Sequence, residues 1–222
     1  MAIQLYQTVI RFPEIKLVAH DAHKLRGYLG RLFKEESSLL HNHQESGEVL
    51  YRYPMVQYKV LKGVPTLVGI NDGASLLIKL FMRIKMLELD GQSYPVLAKN
   101  IESRQVSVGL SDDLHAYKFE TPWMALNQKN FAEYIKADET GRAKHLKALL
   151  IGNILSFCKA INYHVDGTIM ANLKVTGQKE PKFKNNGMLA FEADFVTNML
   201  LPEGIGVGKQ TSTGFGTIVK VN

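Results

Sequence analysis

Residues 201–222 read LPEGIGVGKQTSTGFGTIVKVN. Five glycines, Gly204, Gly206, Gly208, Gly214 and Gly216, surround Lys209 and the hydroxyls of Thr211, Ser212 and Thr213. The residues after these glycines bear directly on the fold. A dinucleotide-binding glycine loop runs from a strand into a helix, whereas FGTIVKVN (residues 215–222) alternates as a strand does. A Walker A loop needs a glycine five positions before Gly208-Lys209 and a hydroxyl directly after the lysine. Glu203 and Gln210 stand there instead, so neither phosphate motif fits. Two readings stay open. The glycines permit positive φ in a long hairpin, or their amides, with Lys209, cradle the phosphodiester chain of RNA.

Working outward, IQLYQTVIRF (residues 3–12) alternates and is rich in β-formers, which predicts a strand. Asp21 is placed to cap a helix over residues 22–36 with Leu25, Tyr28, Leu29 and Leu32 on one face. After the polar break SSLLHNHQESGE come two strands, YRYPMVQYKVL and TLVGI, joined through KGVP. Pro54 makes the first of these an edge strand or delays its start. Asp72 is placed to cap the apolar helix ASLLIKLFMRIKM, and extended segments fill much of residues 87–110. Strand, helix, strand, strand, helix, strand is the ferredoxin-like order.

LSDDL (residues 110–114) is the expected boundary, giving domains 1–111 and 112–222. The second half repeats the pattern. A strand HAYKFETPWMAL precedes helices NQKNFAEYIKA and GRAKHLKALLIGNILSFCKAI, then extended TIMANLKVTG and GMLAFEADFVTNM around the basic QKEPKFKNN. The expected fold class is α+β, two tandem ferredoxin-like domains, the second with a degenerate second helix before its last strand.

Hydrophobic content of 45% with 22% charged residues excludes a disordered chain, and a net charge of +6 favours polyanionic partners. Cys158 is the single cysteine, so no intrachain disulfide forms and a buried thiol in a reducing interior is expected. MAIQLYQTVIRF lacks the basic lead and apolar core of a signal peptide. No apolar run reaches the ~20 residues that span a bilayer. The expectation is a cytoplasmic protein without a membrane partner.

GIGVGKQTSTGFGTI (residues 204–218) resembles the glycine-rich signature of CRISPR-associated endoribonucleases of the RAMP superfamily that process precursor CRISPR RNA. LLIGNILSF (149–157) and LLHNHQESGEVLYRYPMVQY (39–58) are similar to the b-subtype of the sixth CRISPR-associated protein. The resemblance implies two ferredoxin-like domains and metal-independent, cofactor-free cleavage within CRISPR repeat RNA. It also implies retention of product RNA in some systems and contact with other interference-complex proteins. A homodimer is one allowed state. A non-catalytic RNA-holding subunit on the same fold is the alternative.

Such chemistry needs a base for the ribose 2′-hydroxyl, charge relief on the phosphorane and a proton for the departing 5′-oxygen. Imidazole, with a reference pKa of about 6.5, suits the proton steps. His41 and His43 lie in the polar segment where the resemblance expects a catalytic histidine. In extended chain they point the same way. His43 is assigned proton transfer with His41 assisting, Tyr51 orients the 2′-hydroxyl or helps the base, and Lys34 stabilises the pentacoordinate phosphate. Two solvated loop histidines are the plain alternative, and no further Cys or acidic ligands gather there for a metal. Arg142, Lys144 and Lys147 crowd the start of the long helix, and Lys179, Lys182, Phe183 and Lys184 form a basic, aromatic finger. Phosphates would give such a surface its RNA affinity and a ring could stack on a base.

Overall fold

The computed structural model describes residues 2–33, 53–180, 182–183, 186–187 and 189–221. It divides into two compact units. One is Gln4–Val106 with Ser212–Gly214; the other is Met1–Ile3, Ser107–Thr211 and Phe215–Asn222.

The first unit keeps the predicted order. Strand β1 (Ile3–Arg11) leads to helix α1 (Ala22–Leu32), strands β2 (Val56–Leu61) and β3 (Val64–Ile70), and helix α2 (Asp72–Phe81). A small hairpin, β4 (Met86–Leu89) and β5 (Gln92–Pro95), is inserted before the long strand β6 (Asn100–Phe119). The sheet order β2-β3-β1-β6 places the fourth strand beside the first, as a ferredoxin-like sheet requires. Side chains of β6 meet those of β1 in antiparallel sense: Thr8 Oγ1 lies 3.0 Å from Ser103 Oγ, and Arg104 Nε donates to Gln7 Oε1 at 3.3 Å. Both hairpins turn on two residues with positive φ, Lys62-Gly63 and Asp90-Gly91, the geometry that matches strand twist. Pro54 precedes β2, which is an edge strand.

One face of this sheet buries Ile10, Val56, Tyr58, Val60 and Leu67 against Leu25 and Leu29 of α1 and Leu76, Leu77 and Leu80 of α2. Leu32, expected on the apolar face, is exposed, and Phe33 takes the buried position. Neither aspartate caps as expected. Asp21 closes a short 3-10 turn, accepting from the Val18 amide at 3.1 Å and pairing with Lys24 at 2.8 Å. Lys24 also reaches Asp90 at 2.7 Å, which pins the tip of the β4–β5 hairpin to the start of α1. Asp72 is already inside α2; Asn71 precedes it with φ 49°, and its Oδ1 accepts from the Tyr6 amide instead.

The second unit takes β6 from Ser107 onward as its first strand. Helices α3 (Gln128–Lys136) and α4 (Glu139–Ala160), strand β7 (Ala171–Lys179), the short pair β8 (Lys182–Phe183) and β9 (Asn186–Gly187), and strands β10 (Ala190–Leu200) and β11 (Ile218–Lys220) come after it. The pairings β11–β6, β6–β10 and β10–β7 repeat the ferredoxin-like order. Between β10 and β11 the described helical turn is the three-residue 3-10 turn Thr211–Thr213, the degenerate second helix. Asn127 and Asp138 cap α3 and α4, each side chain accepting at 2.8 Å from an amide three residues on. The core is aromatic. Phe119 stacks on Trp123 at 5.2 Å, and Tyr117 and Phe119 both meet Phe195 at 5.3 Å. Phe195→Ala is expected to lower stability by about 3–5 kcal/mol, read from urea unfolding of the full chain.

LSDDL lies inside β6, not between strands. Thr197 pairs with His115 but Met199 pairs with Leu110, so residues 111–114 bulge from the ladder with Asp112, Asp113 and Leu114 exposed. Residues in a bulge are free of ladder pairing, so polar side chains are tolerated there as they are in a linker. The compact units divide at 106/107.

Candidate functional site

The glycine-rich segment is a folded hairpin. Gly204 N–H donates to Ile218 O at 2.8 Å, Val207 N–H to Gly216 O at 2.8 Å, and Ile218 N–H to Ile205 O at 3.0 Å. Two further amides reach the stretch before α3, Lys209 to Met124 O and Gly216 to Pro122 O, both at 2.9 Å. Ile205 and Val207 are fully buried. At two glycines a positive φ coincides with a contact too close for a Cβ. At Gly216, φ is 64° and an added Cβ would lie 2.1 Å from Val207 O; at Gly208, φ is 113° and a Cβ would lie 2.7 Å from the Trp123 ring. Trp123 is held in turn by its Nε1–H donating to Asn153 Oδ1 on α4 at 3.1 Å.

The amides of Gly204, Val207, Lys209 and Gly216 therefore face the protein's own carbonyls. Thr211, Ser212 and Thr213, whose hydroxyls the glycines surround, are buried. Ser212 and Gly214 belong to the first unit: Ser212 Oγ accepts from Arg26 Nη1 at 3.1 Å, and a Cβ at Gly214 would come within 3.3 Å of Tyr58 O on the edge strand β2. Burial raises the Tyr58 phenol well above its ordinary pKa, against the opposing charge of Arg26. The side chain of Lys209 and the backbone at Gly208 are half-buried, and Gly206 is buried.

Basic residues divide by what they touch. Arg142 Nε donates to Tyr134 O at 3.1 Å and Nη2 to Ile135 O at 3.0 Å, with the guanidinium 5.2 Å above the Tyr134 ring. It caps the end of α3, where the helix dipole favours a cation. Lys144 and Lys147 stand exposed on α4. Lys179 is ion-paired with Glu192 across β7 and β10. Lys182 and Phe183 lie on β8, and Lys184 lies outside the described residues. Arg142→Gln is expected to lower Tm with little change in RNA affinity, whereas Lys144→Ala/Lys147→Ala should weaken RNA binding at unchanged Tm; thermal melts and filter binding separate the two.

His41, His43, Tyr51 and Lys34 also lie outside the described residues. Their flanks are held in the first unit. Phe33, at the end of α1, is buried under the Arg83 guanidinium at 5.1 Å. Tyr53 Oη accepts from Gln57 Nε2 at 2.8 Å, and Gln57 also donates to Pro54 O at 3.3 Å. Sequence reading missed Gln57 and the Arg26–Ser212 bond. Gln57 and Lys59 are polar positions alternating with apolar Val56, Tyr58 and Val60, and both are fully buried. That alternation was the available signal.

Cys158 is buried on α4, and burial pushes its thiol up to about 11. A raised pKa keeps the native thiol protonated, so this contribution to stability is present below the unfolded thiol's pKa and fades as pH climbs through about 11. At pH 8 its thiolate fraction is about 100-fold below that of an unperturbed thiol. Alkylation in native buffer is expected to be slow and to accelerate on urea unfolding.

No helix among the described residues is long and apolar enough to cross a membrane. Tandem ferredoxin-like units with a glycine-rich hairpin are what the RAMP resemblance of residues 204–218 implies. The Cas6b N-terminal domain matches residues 1–107 and the Cas6b C-terminal domain matches residues 109–221. The chain belongs to the Cas6b family. A crystal structure of Cas6b has a TM-score of 0.92 at 35% identity, covering 99% of this chain and 100% of that one. The crystal structure of a CRISPR RNA processing endoribonuclease, also a Cas6b, has a TM-score of 0.81 at 32% identity over 99% and 100% of the two chains. An uncharacterized protein of Methanocaldococcus jannaschii is 34% identical over 143 residues, 64% of this chain and 97% of that protein.

Proposed function

We infer that this protein is a CRISPR precursor-RNA processing endoribonuclease that binds repeat RNA and cuts it by attack of a ribose 2′-hydroxyl on the adjacent phosphate. One observation carries this reading: both halves of the chain match the two domains of one family, and the fold agrees with a Cas6b structure over 99% of its length.

The reaction balances within RNA and side chains. His43, with His41 assisting, takes the 2′-hydroxyl proton as the new 2′-O–P bond forms. Tyr51 orients that hydroxyl, and Lys34 offsets negative charge on the phosphorane. The P–O5′ bond breaks, and the protonated His43, with His41 assisting, gives a proton to the departing 5′-oxygen. The products are a 2′,3′-cyclic phosphate upstream and a 5′-hydroxyl downstream, with no metal in the scheme. Lys144, Lys147 and Lys209 supply phosphate contacts, joined by the β8–β9 finger. The glycines Gly204, Gly206, Gly208, Gly214 and Gly216 act by shaping the hairpin that carries Lys209. The halves 1–111 and 112–222 work as a catalytic and an RNA-gripping part. Other interference-complex proteins and a second copy are further partners of this reading.

The test uses the full chain and a repeat RNA in EDTA, beside the same RNA carrying 2′-deoxyribose at the cleaved nucleotide. Cleavage of the ribose substrate and none of the deoxy substrate is expected. Cutting of the deoxy substrate would remove the proposed nucleophile.

A further inference from the structure

The end of α2 carries a cationic surface that no step of the proposed reaction uses. The apolar face of this helix buries Ala74, Leu76, Leu77 and Leu80. Its opposite face leaves Lys79 exposed one turn before Arg83, and Lys85 stands in the connection to the β4–β5 hairpin. The strand-to-strand return brings Lys99 to the same place. Val96 N–H donates to Lys85 O at 3.0 Å, while Lys99 Nζ donates to Ile84 O at 2.6 Å and lies 4.8 Å over the Phe81 ring. Among the described residues, no carboxylate pairs with Lys79, Lys85 or Lys99. The Lys99 ammonium is held below its ordinary pKa, first by burial and then by the charge of Lys85. The charge of Lys85 acts on Lys99, and an anion bound between them would offset it.

We propose that Lys79, Lys85 and Lys99 form a second phosphate-binding surface for the RNA, on the first unit. The inference rests on the proposed RNA-processing function. Like charges on α2 and on the two connections beside it suit a polymer of repeated anions better than a single carboxylate. Each neutralised phosphate releases counterions, so every lysine engaged adds about 0.7 to the slope of log affinity against log salt for a single strand.

The probe is the non-cleavable 2′-deoxy repeat RNA, bound to the full chain and to Lys79→Ala/Lys85→Ala and Lys79→Glu/Lys85→Glu between low and moderate salt. The alanine pair is expected to lower the salt slope by about 1.4, two contacts at about 0.7 each. The glutamate pair should bind more weakly still, both with wild-type Tm. Wild-type slope and Kd in both variants would overturn the surface. If wild-type protein itself fails to bind the repeat RNA, the functional reading fails first, which is a different result. Poly-glutamate is titrated in parallel. If it binds wild type and not the glutamate pair while RNA affinity stays unchanged, the surface serves an acidic protein and the RNA proposal is overturned.

Discussion

His43→Ala is expected to slow single-turnover cleavage of repeat RNA by about 10²- to 10⁴-fold, the usual contribution of a positioned acid or base. RNA affinity, measured with the deoxy substrate, should be unchanged, because a proton carrier acts on the transition state and not on the bound strand. His41→Ala should lose less. A His43→Ala protein that cuts at the wild-type rate would transfer the proton step to another group. The two anchored flanks, Phe33 beneath Arg83 and Tyr53 on Gln57, make it worthwhile to measure His43→Ala beside an intact fold control.

Gly216→Ala is the substitution with the largest expected structural effect outside the core. A Cβ there would lie 2.1 Å from Val207 O on a backbone with φ 64°. Left-handed strain costs about 1–2 kcal/mol, and displacing packed atoms costs about 1–3 kcal/mol more. For a chain of this size each kcal/mol is worth about 2–4 °C in Tm. Gly204→Ala is the matched control: φ is 80° with nothing within 4 Å of the added Cβ, so it carries the strain alone. Gly216→Ala should therefore melt clearly below Gly204→Ala in a thermal scan. Equal melting temperatures would mean that the Val207 carbonyl does not confine position 216. Both variants should bind RNA like wild type where still folded, because these glycines act by shaping the hairpin.

Much of the architecture was legible in local pattern. The alternation of IQLYQTVIRF, the two-residue turns at Lys62-Gly63 and Asp90-Gly91, and the missing second helix before β11 were all within reach of short windows. LSDDL misled because a β-bulge and a linker share one signature, short polar side chains free of cross-strand pairing. Asp21 and Asp72 misled because a carboxylate before a helix serves a 3-10 turn or the first helical turn as readily as a cap. Arg142, read as a phosphate ligand, has partners that local sequence does not show, the carbonyls of Tyr134 and Ile135 at the end of the preceding helix.

Read alone, the chain was sufficient for the ferredoxin-like order of the main strands and helices but not for the inserted β4–β5 hairpin or the unbroken β6. It was also sufficient for membership of a glycine-signature family and for the chemistry that two nearby imidazoles suggest. Those features depend on neighbours a few residues apart, whose periodicity is written in the sequence. Which glycine-segment amides face inward, why Ser212 answers to Arg26 on α1, and where Lys85 meets Lys99 required the three-dimensional arrangement. A hydrogen bond or a charge repulsion depends on where folding brings distant residues together, and Ser212 and Arg26 are separated by 186 positions.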